Sequence, residues 1–412
     1  MPRQTLYSVT LVLLLATLLA GCSAGNTPSA KAPTTAAQAT HLPLATTVAT
    51  AAEAPAPAQA TTIPATPTDV PLPTTALPAD VPWVLLNNQV YGDDEQLDFQ
   101  AHNLPAPAGN IQGAPNGGYI AYTSQDGQLL VIETGRFTRV LNAEAYGRVV
   151  AGFAFSRDGR ELAATLIDDQ KNTWSLRFYS LVDGNSRELR QGSSSVALND
   201  QLPLIPRPLH WAANGLLVDY VLWGTDALPS QLSLINPADG TERLLRKEGY
   251  LNSFPAPDGA HVAIVTGQPG MGSTPTMQLA IVTVTDGTEQ VIIPEQPGYI
   301  RRLRWSPNSA RLLYASSADY GVPDAIIHMR NIDGSNEHTF VVGSASVAAE
   351  IADLAWQNNQ IALMLLAKTN GYFHLMKLPI DQFSGDNLQP YAAYERGQNP
   401  NSNAIIIYTP GK

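Results

Sequence analysis

Cysteine is almost missing from this chain of 412 residues. Cys22 stands alone, so neither an internal disulfide nor a multi-thiolate zinc or iron–sulfur centre can form, because each needs at least two thiols. Charge is scarce as well: 14% of residues are charged, against about 25% in ordinary soluble domains. Lys and Arg together number 24 and Asp and Glu 35, a formal net charge of −11 with no basic run. Affinity for a polyanion comes mainly from Lys and Arg neutralising phosphates, so nucleic acid is excluded as an expected partner. Neither a metal nor a cofactor is expected. The seven histidines, His41, His102, His210, His261, His328, His338 and His374, show no pair at metal-ligand spacing, and no Gly-x-Ser-x-Gly elbow is present. Gly267-Gln268-Pro269-Gly270-Met271-Gly272 lacks the Lys-Ser/Thr ending of a phosphate loop and reads as a hairpin loop. The acidic groups Asp168-Asp169 and Asp93-Asp94-Glu95 lack the alternating ligand spacing of a calcium loop and read as solvated loop charge.

Long apolar runs are also absent. The longest is the mostly apolar stretch from Leu6 to Ala20, 15 residues, short of the roughly 20 that cross a bilayer as a helix. Arg3 precedes it and no basic stop-transfer flank follows, the layout of a cleaved secretory signal over residues 1–21. It ends in Leu19-Ala20-Gly21-Cys22, which resembles the lipobox of bacterial lipoproteins. That resemblance implies cleavage before Cys22, acylation of its thiol with diacylglycerol and further acyl chains such as palmitate, and hence an extracytoplasmic protein anchored in the cell membrane or the outer membrane. Two or more acyl chains hold a protein at a bilayer far more firmly than one. Ser23 follows instead of an aspartate retention signal, so both membranes stay open.

Residues 22–82 read as the lipidated cysteine and a tether. Between Thr27 and Pro82, 16 Ala, 13 Thr and 11 Pro fill most of 56 positions. Side chains of that kind cannot bury a core, and frequent proline favours extended polyproline II spacers.

From residue 83 to 412 the texture changes to short runs of Val, Ile, Leu and Tyr punctuated by Asp-Gly, Asn-Gly or Pro, the marks of strands and hairpins. No helical apolar period is sustained. A repeat is visible instead. An aromatic or small residue, a polar turn and an apolar strand recur, as in Phe155-Ser156-Arg157-Asp158-Gly159 before Leu162-Ala163-Ala164, and Trp305-Ser306-Pro307-Asn308-Ser309 before Leu312-Leu313-Tyr314. The turn residues Asn116, Asp158, Asn214, Asp258, Asn308, Asn358 and Asn401 lie 42 to 56 residues apart, 47.5 on average. A second turn follows in several copies, at Asp183-Gly184, Asp239-Gly240, Asp286-Gly287 and Asp333-Gly334. Two hairpins in about 45 residues make a four-stranded unit that cannot bury both its faces alone, which is the blade of a β-propeller.

Trp305-Ser306-Pro307-Asn308-Ser309 with Ile332-Asp333-Gly334-Ser335-Asn336 resembles the TolB-type β-propeller repeat, with an aromatic-Ser-Pro-Asp-Gly turn and a later Asn-x-Asp-Gly-Ser turn. The resemblance spans roughly residues 110–408 and is clearest in the second, fourth and fifth copies. It implies the fold and nothing about partners, because the α/β domain that precedes the propeller of TolB is replaced here by the tether.

Seven copies predict an all-β, seven-bladed β-propeller of four-stranded antiparallel blades, with six or eight blades as alternatives. Segments 83–86 and 89–100 belong to no complete repeat, and few residues follow Asn401. Ile405-Ile406-Ile407 is therefore expected to pair with the Trp83 region in a last blade closed by both termini, which removes two open edges.

Two sets of residues compete as functional candidates. Trp211, Trp305, Trp356, Phe155 and Phe254 precede the first turns and are expected to pack between blades. The loops joining second to third strands, and those between blades, share one end of a propeller. They carry Tyr146, Arg148, Trp223, Tyr250, Tyr299, Arg301, Arg302, Tyr320 and Tyr372, and aromatics and arginines are frequent binding anchors. These nine form the candidate binding face; the alternative is that the tyrosines beside glycines close loops over blade edges. The expected function is a surface-tethered, non-enzymatic module that binds or assembles with an envelope protein or glycan. A propeller hydrolase or lyase with its site in the central funnel is the alternative, and a passive envelope spacer the third reading.

Overall fold

The structure is a computed structural model. It describes residues 83–86, 89–91, 96–98, 104–105, 107–134, 138–142, 149–195, 203–222, 231–247, 249–268, 274–318, 326–342, 349–368, 372–383, 388–395 and 405–407, all inside the compact unit Thr66–Lys412. Cys22 and the residues expected to form a signal and a tether lie outside them.

The described strands form four-stranded antiparallel sheets. Six are built from strands consecutive in the chain. Blade I holds residues 107–113, 119–124, 129–133 and 138–142, and blade II 149–155, 161–168, 173–180 and 186–193. Blade III holds 204–212, 215–222, 231–235 and 242–246, and blade IV 252–255, 261–268, 276–283 and 289–297. Blade V holds 299–305, 311–317, 326–331 and 338–341, and blade VI 349–358, 361–368, 372–379 and 389–395. In each, the first-named strand is innermost. A further sheet joins 405–407 to 83–86, 89–91 and 96–98, in strands of only three or four residues.

This corrects the expectation of seven blades. Six of the proposed turns, at Asn116, Asp158, Asn214, Asp258, Asn308 and Asn358, do join first to second strands, giving six full blades. The copy assigned to Asn401 lies outside the described residues, and the strand after it is not a second strand. Ile405–Ile407 takes the innermost position, pairing Trp83 with Ile407, Val84 with Ile406 and Leu85 with Ile405. The pairing of the two termini is as expected; the sheet it makes is a short closure and not a repeat of the same build.

Burial explains why the second strands read as continuous apolar runs. Leu162–Ile167 and Leu312–Ala315 are buried throughout because each packs on two neighbouring blades, whereas the outermost strands, such as Ser186–Ser193, are largely exposed. The core is divided accordingly. Apolar clusters fill the interfaces I–II, II–III, III–IV, IV–V, V–VI and VI to the closing sheet, the last formed by Val84 and Ile406 against Leu363, Leu365 and Phe373.

The repeat aromatics fasten these interfaces as well as filling them. The Trp211 indole N–H donates to Ala154 O at 3.1 Å, Trp305 to Phe254 O at 2.7 Å and Trp356 to Arg304 O at 3.3 Å. Each bond reaches back to the innermost strand of the preceding blade, so one side chain satisfies its own donor and ties two sheets.

The turn motif has a local explanation. Ser156 Oγ donates to Asp158 Oδ1 at 2.6 Å and accepts Glu161 N–H at 2.9 Å, while Asp158 Oδ1 accepts Arg160 N–H at 3.1 Å. Ser306, Asn308, Ala310 and Arg311 repeat the pattern at 2.8, 3.3 and 2.9 Å. A short polar side chain at each place thus stands in for missing backbone partners in a tight turn. Gly259 is required for a different reason: its φ is +69° and a Cβ there would meet Ala212 Cα at 2.6 Å, because the turns of successive blades touch.

The ring closes through Asp353. This buried carboxylate accepts Ile406 N–H on Oδ2 at 2.9 Å, and Leu354 N–H at 2.8 Å and an Arg304 guanidinium nitrogen at 2.7 Å on Oδ1. Asp353→Ala leaves these donors without their acceptor and is expected to destabilise the fold by about 2–4 kcal/mol. Amide exchange should accelerate selectively at Ile405–Ile407, with partial recovery in Asp353→Asn, which keeps an acceptor oxygen. Unchanged exchange in that strand would refute the role of the carboxylate.

Candidate functional site

Four innermost strands enclose a cavity of about 310 Å³ at the hub. Ser253, Phe254, Pro255 and Pro257 come from blade IV, Leu303, Arg304, Trp305 and Pro307 from blade V, Ala355 and Trp356 from blade VI, and Ile406 from the closing strand. The position follows from the repeat. Phe254, Trp305 and Trp356 end the innermost strands, and Pro257 and Pro307 sit in the turns after them, so the cavity opens at the end of the ring where the first turns lie. Its volume is at the lower end of small-ligand pockets.

Among the described residues the lining is mostly apolar, with one ionisable side chain. Arg304 projects from an irregular stretch of its strand: pairing with the second strand slips between Arg301 and Arg304, and Arg302 adopts φ +51°, the conformation of a bulge that re-aims its neighbours. From there its Nε donates to Leu354 O at 2.9 Å, and its other nitrogens reach Leu303 O at 3.1 Å and Asp353 at 2.7 Å. The guanidinium is held on three sides yet stays 38% exposed, so it presents a fixed positive edge to a ligand.

Between blades II and IV, His210 precedes Trp211 as Arg304 precedes Trp305. Burial, with Arg157 nearby and Asp258 opposing, pulls its imidazole down to about 4, and its buried Nε2 has no hydrogen-bond partner. It is therefore a neutral packing group at pH 7. Further out, Arg207 forms a two-point pair with the fully buried Asp219, Nε to Oδ1 at 2.8 Å and a terminal nitrogen to Oδ2 at 2.5 Å, across the first two strands of blade III.

Five of the nine residues of the expected binding face are among the described residues. Tyr146, Arg148, Trp223 and Tyr320 lie outside the described residues, as does Cys22. Tyr250 is only 1% exposed, in the III–IV core, with its hydroxyl donating to Gln231 O at 3.3 Å. Tyr299 is buried in the IV–V core with the Arg301 guanidinium 4.8 Å above its ring. Arg302 forms the bulge. Tyr372 is exposed, on blade VI. Burial thus removes Tyr250 and Tyr299 from any contact surface, and the cavity lies at the opposite end of the ring from the loops that were expected to bind. Phe254, Trp305 and Trp356 were assigned to packing and do pack, but they also line the cavity. Their juxtaposition with Arg304 depends on the bulge, which no sequence signal announces.

No protein-family model matches the chain, and no curated protein matches it in sequence. Solved structures do match. An oligogalacturonate lyase in complex with manganese aligns over 74% of this chain and 93% of its own, at 14% identity and a TM-score of 0.52. The oligogalacturonate lyase from Vibrio parahaemolyticus aligns over the same shares at 10% identity and a TM-score of 0.51. A putative TolB from Agrobacterium tumefaciens aligns over 63% of this chain and 87% of its own, at 14% identity and a TM-score of 0.42. The chain is a β-propeller, and at these identities the likeness extends to the fold alone. Among the described residues no three His, Cys, Asp or Glu side chains come together where a metal ion could be held.

The His210 shift fixes a pH dependence. Its folded value lies below the ordinary 6.5, so the unfolded chain takes up a proton first as pH falls. The stability tied to neutral His210 is present above pH 6.5 and is lost as pH falls towards about 4, at up to about 1.4 kcal/mol per pH unit. Denaturant midpoints between pH 7 and 4.5 should therefore fall less steeply in His210→Gln than in the parent. Equal slopes would show that His210 does not contribute.

Proposed function

We propose that the protein is a lipid-anchored, extracytoplasmic binding module whose propeller captures an envelope partner in the hub cavity. The observation that carries this reading is the cavity itself: aromatic and proline walls with one positioned guanidinium. A segment of a protein partner suits it better than a glycan. Sugars need many hydrogen-bonding groups close together, and this lining offers Ser253 and Arg304 beside a mainly apolar wall; an apolar side chain flanked by a carboxylate would fill the wall and meet the arginine.

The anchor reading rests on Leu6–Ala20, the Leu19-Ala20-Gly21-Cys22 ending and the Ala/Thr/Pro spacer. Such a tether would hold the module off the bilayer and leave it free to search. A lyase- or hydrolase-like site in the funnel is the second reading, favoured by the likeness to the oligogalacturonate lyases. Against it, Arg304 is the one ionisable side chain among the described residues lining the cavity, and the carboxylate beside it, Asp353, is already engaged by Arg304, Leu354 N–H and Ile406 N–H.

Two experiments test the parts separately. Labelled palmitate is expected to enter the parent chain and not Cys22→Ser; equal labelling would remove the anchor. The full chain, crosslinked in envelope extract, should retain a specific protein that Pro257→Glu/Pro307→Glu loses by at least about tenfold, since the added carboxylates crowd and recharge the mouth. Equal retention by the variant would eliminate the hub as the binding site.

A further inference from the structure

A second constellation lies away from the hub, on the face of blade V that packs against blade IV. Ser316 is the penultimate residue of the second strand, His328 lies on the third, and Glu337 immediately precedes the fourth. Ser316 Oγ is 2.7 Å from His328 Nε2. The other ring nitrogen, Nδ1, faces Glu337 Oε1 at 3.5 Å.

The neighbours hold this order in place. The Tyr314 ring lies parallel to the imidazole, with centroids 4.6 Å apart and planes 3° from parallel, which fixes the ring plane. Arg330 bonds Glu337 Oε2 and donates to Ile292 O of blade IV at 2.6 Å, so the carboxylate is turned with Oε1 towards the imidazole. A carboxylate at Nδ1 favours the tautomer with its proton there, and Nε2 is then the acceptor for the serine hydroxyl. At 3.5 Å the two are ion-pair neighbours and His328 Nδ1 has no hydrogen-bond partner; such contacts often tighten only when substrate arrives. Ser316 is half-buried and the His328 side chain 15% exposed, while the Glu337 side chain is 39% exposed.

We infer that Ser316, His328 and Glu337 form a nucleophile, a general base and an orienting carboxylate able to hydrolyse small carboxylic esters. Ser316 Oγ attacks the ester carbonyl carbon as its proton passes to His328 Nε2. The C–O bond to the alcohol then breaks, and the departing oxygen takes that proton. Water repeats the sequence on the acyl-serine, releasing the acid and restoring Ser316. This activity is independent of the hub and stands or falls apart from it.

The test is covalent. The full chain is treated with a fluorophosphonate, in which Ser316 Oγ bonds phosphorus and fluoride leaves, and the adduct is located by peptide mass spectrometry. Release of nitrophenol from 4-nitrophenyl acetate is followed in parallel. The adduct is expected on Ser316 and should be lost in Ser316→Ala. Labelling should slow by about 10²-fold or more in His328→Gln and about tenfold in Glu337→Gln, which alters an exposed side chain and leaves the fold intact.

The pH profile supplies a readout that a packing role would not move. The groups facing His328 are Glu337, Arg330 and Tyr314; burial lowers its proton affinity, Glu337 raises it and Arg330 lowers it. Activity should fall on the acid side as the imidazole protonates, and in Glu337→Gln that limb should move to lower pH. Absence of an adduct on Ser316, or equal labelling rates in the parent and in Glu337→Gln, overturns the inference.

Discussion

A ring of blades depends on one joint, where the end of the chain meets its beginning, and in this protein a buried carboxylate makes that joint. Backbone pairing between 405–407 and 83–86 covers three residues on each side, too little to be stable alone. Asp353 adds a charge-assisted bond to the closing strand from the neighbouring blade, and Arg304 on the blade before that balances its charge. Three consecutive elements of the ring thus share one ion pair. A buried pair is a weak source of net stability compared with apolar packing, yet it is costly to break halfway, and such an arrangement favours all-or-none closure over a gradual fraying of the ends.

The same logic runs through the blades. Trp211, Trp305 and Trp356 each bond a carbonyl of the preceding innermost strand, and successive turns touch through Asn116 Nδ2 to Asp158 O, Asp258 N–H to Ser309 Oγ and Asn308 N–H to Asn359 Oδ1. Further out, Arg190 meets Glu242 and Arg246 meets Glu289 between neighbouring outermost strands, contacts of partly exposed groups near the rim, where solvent screens them. The order of importance therefore falls with radius: apolar interface and indole bond first, turn contacts next, surface charge last.

This gradient also explains what the sequence could show. The turn motifs, the strands and the interblade role of the aromatics follow from local chemistry, and each is visible in a stretch such as Trp305-Ser306-Pro307-Asn308. The blade count was misjudged at Asn401, because a polar turn before an apolar run fits the entry to either a first or a second strand, and only pairing decides between them. Tyr250 and Tyr299 were read as surface anchors because they stand beside glycines in connecting segments, but packing against the next blade buries them. The cavity and the Ser316–His328–Glu337 set were illegible for a common reason. Both join residues far apart in sequence or on different strands, and the first also depends on a bulge at Arg302 that changes which way Arg304 points.

Closure and the hub are one physical system. Ile406 lines the cavity and also donates its N–H to Asp353, while Arg304 lines the cavity and neutralises that same Asp353. The cavity therefore exists in full only when the closing strand is seated. A ligand that binds there binds the closed ring in preference to the open one, and by linkage it stabilises closure by RT ln(1 + [L]/Kd), about 2.7 kcal/mol at a hundredfold excess over Kd. The coupling is reciprocal: anything that weakens the joint lowers the population competent to bind and so lowers the apparent affinity. On the proposed partner-binding reading, that link makes capture of a partner and integrity of the ring the same event. The Ser316 set, on the IV–V face and away from the closing strand, has no share in that coupling, so its chemistry should proceed whether or not the hub is filled.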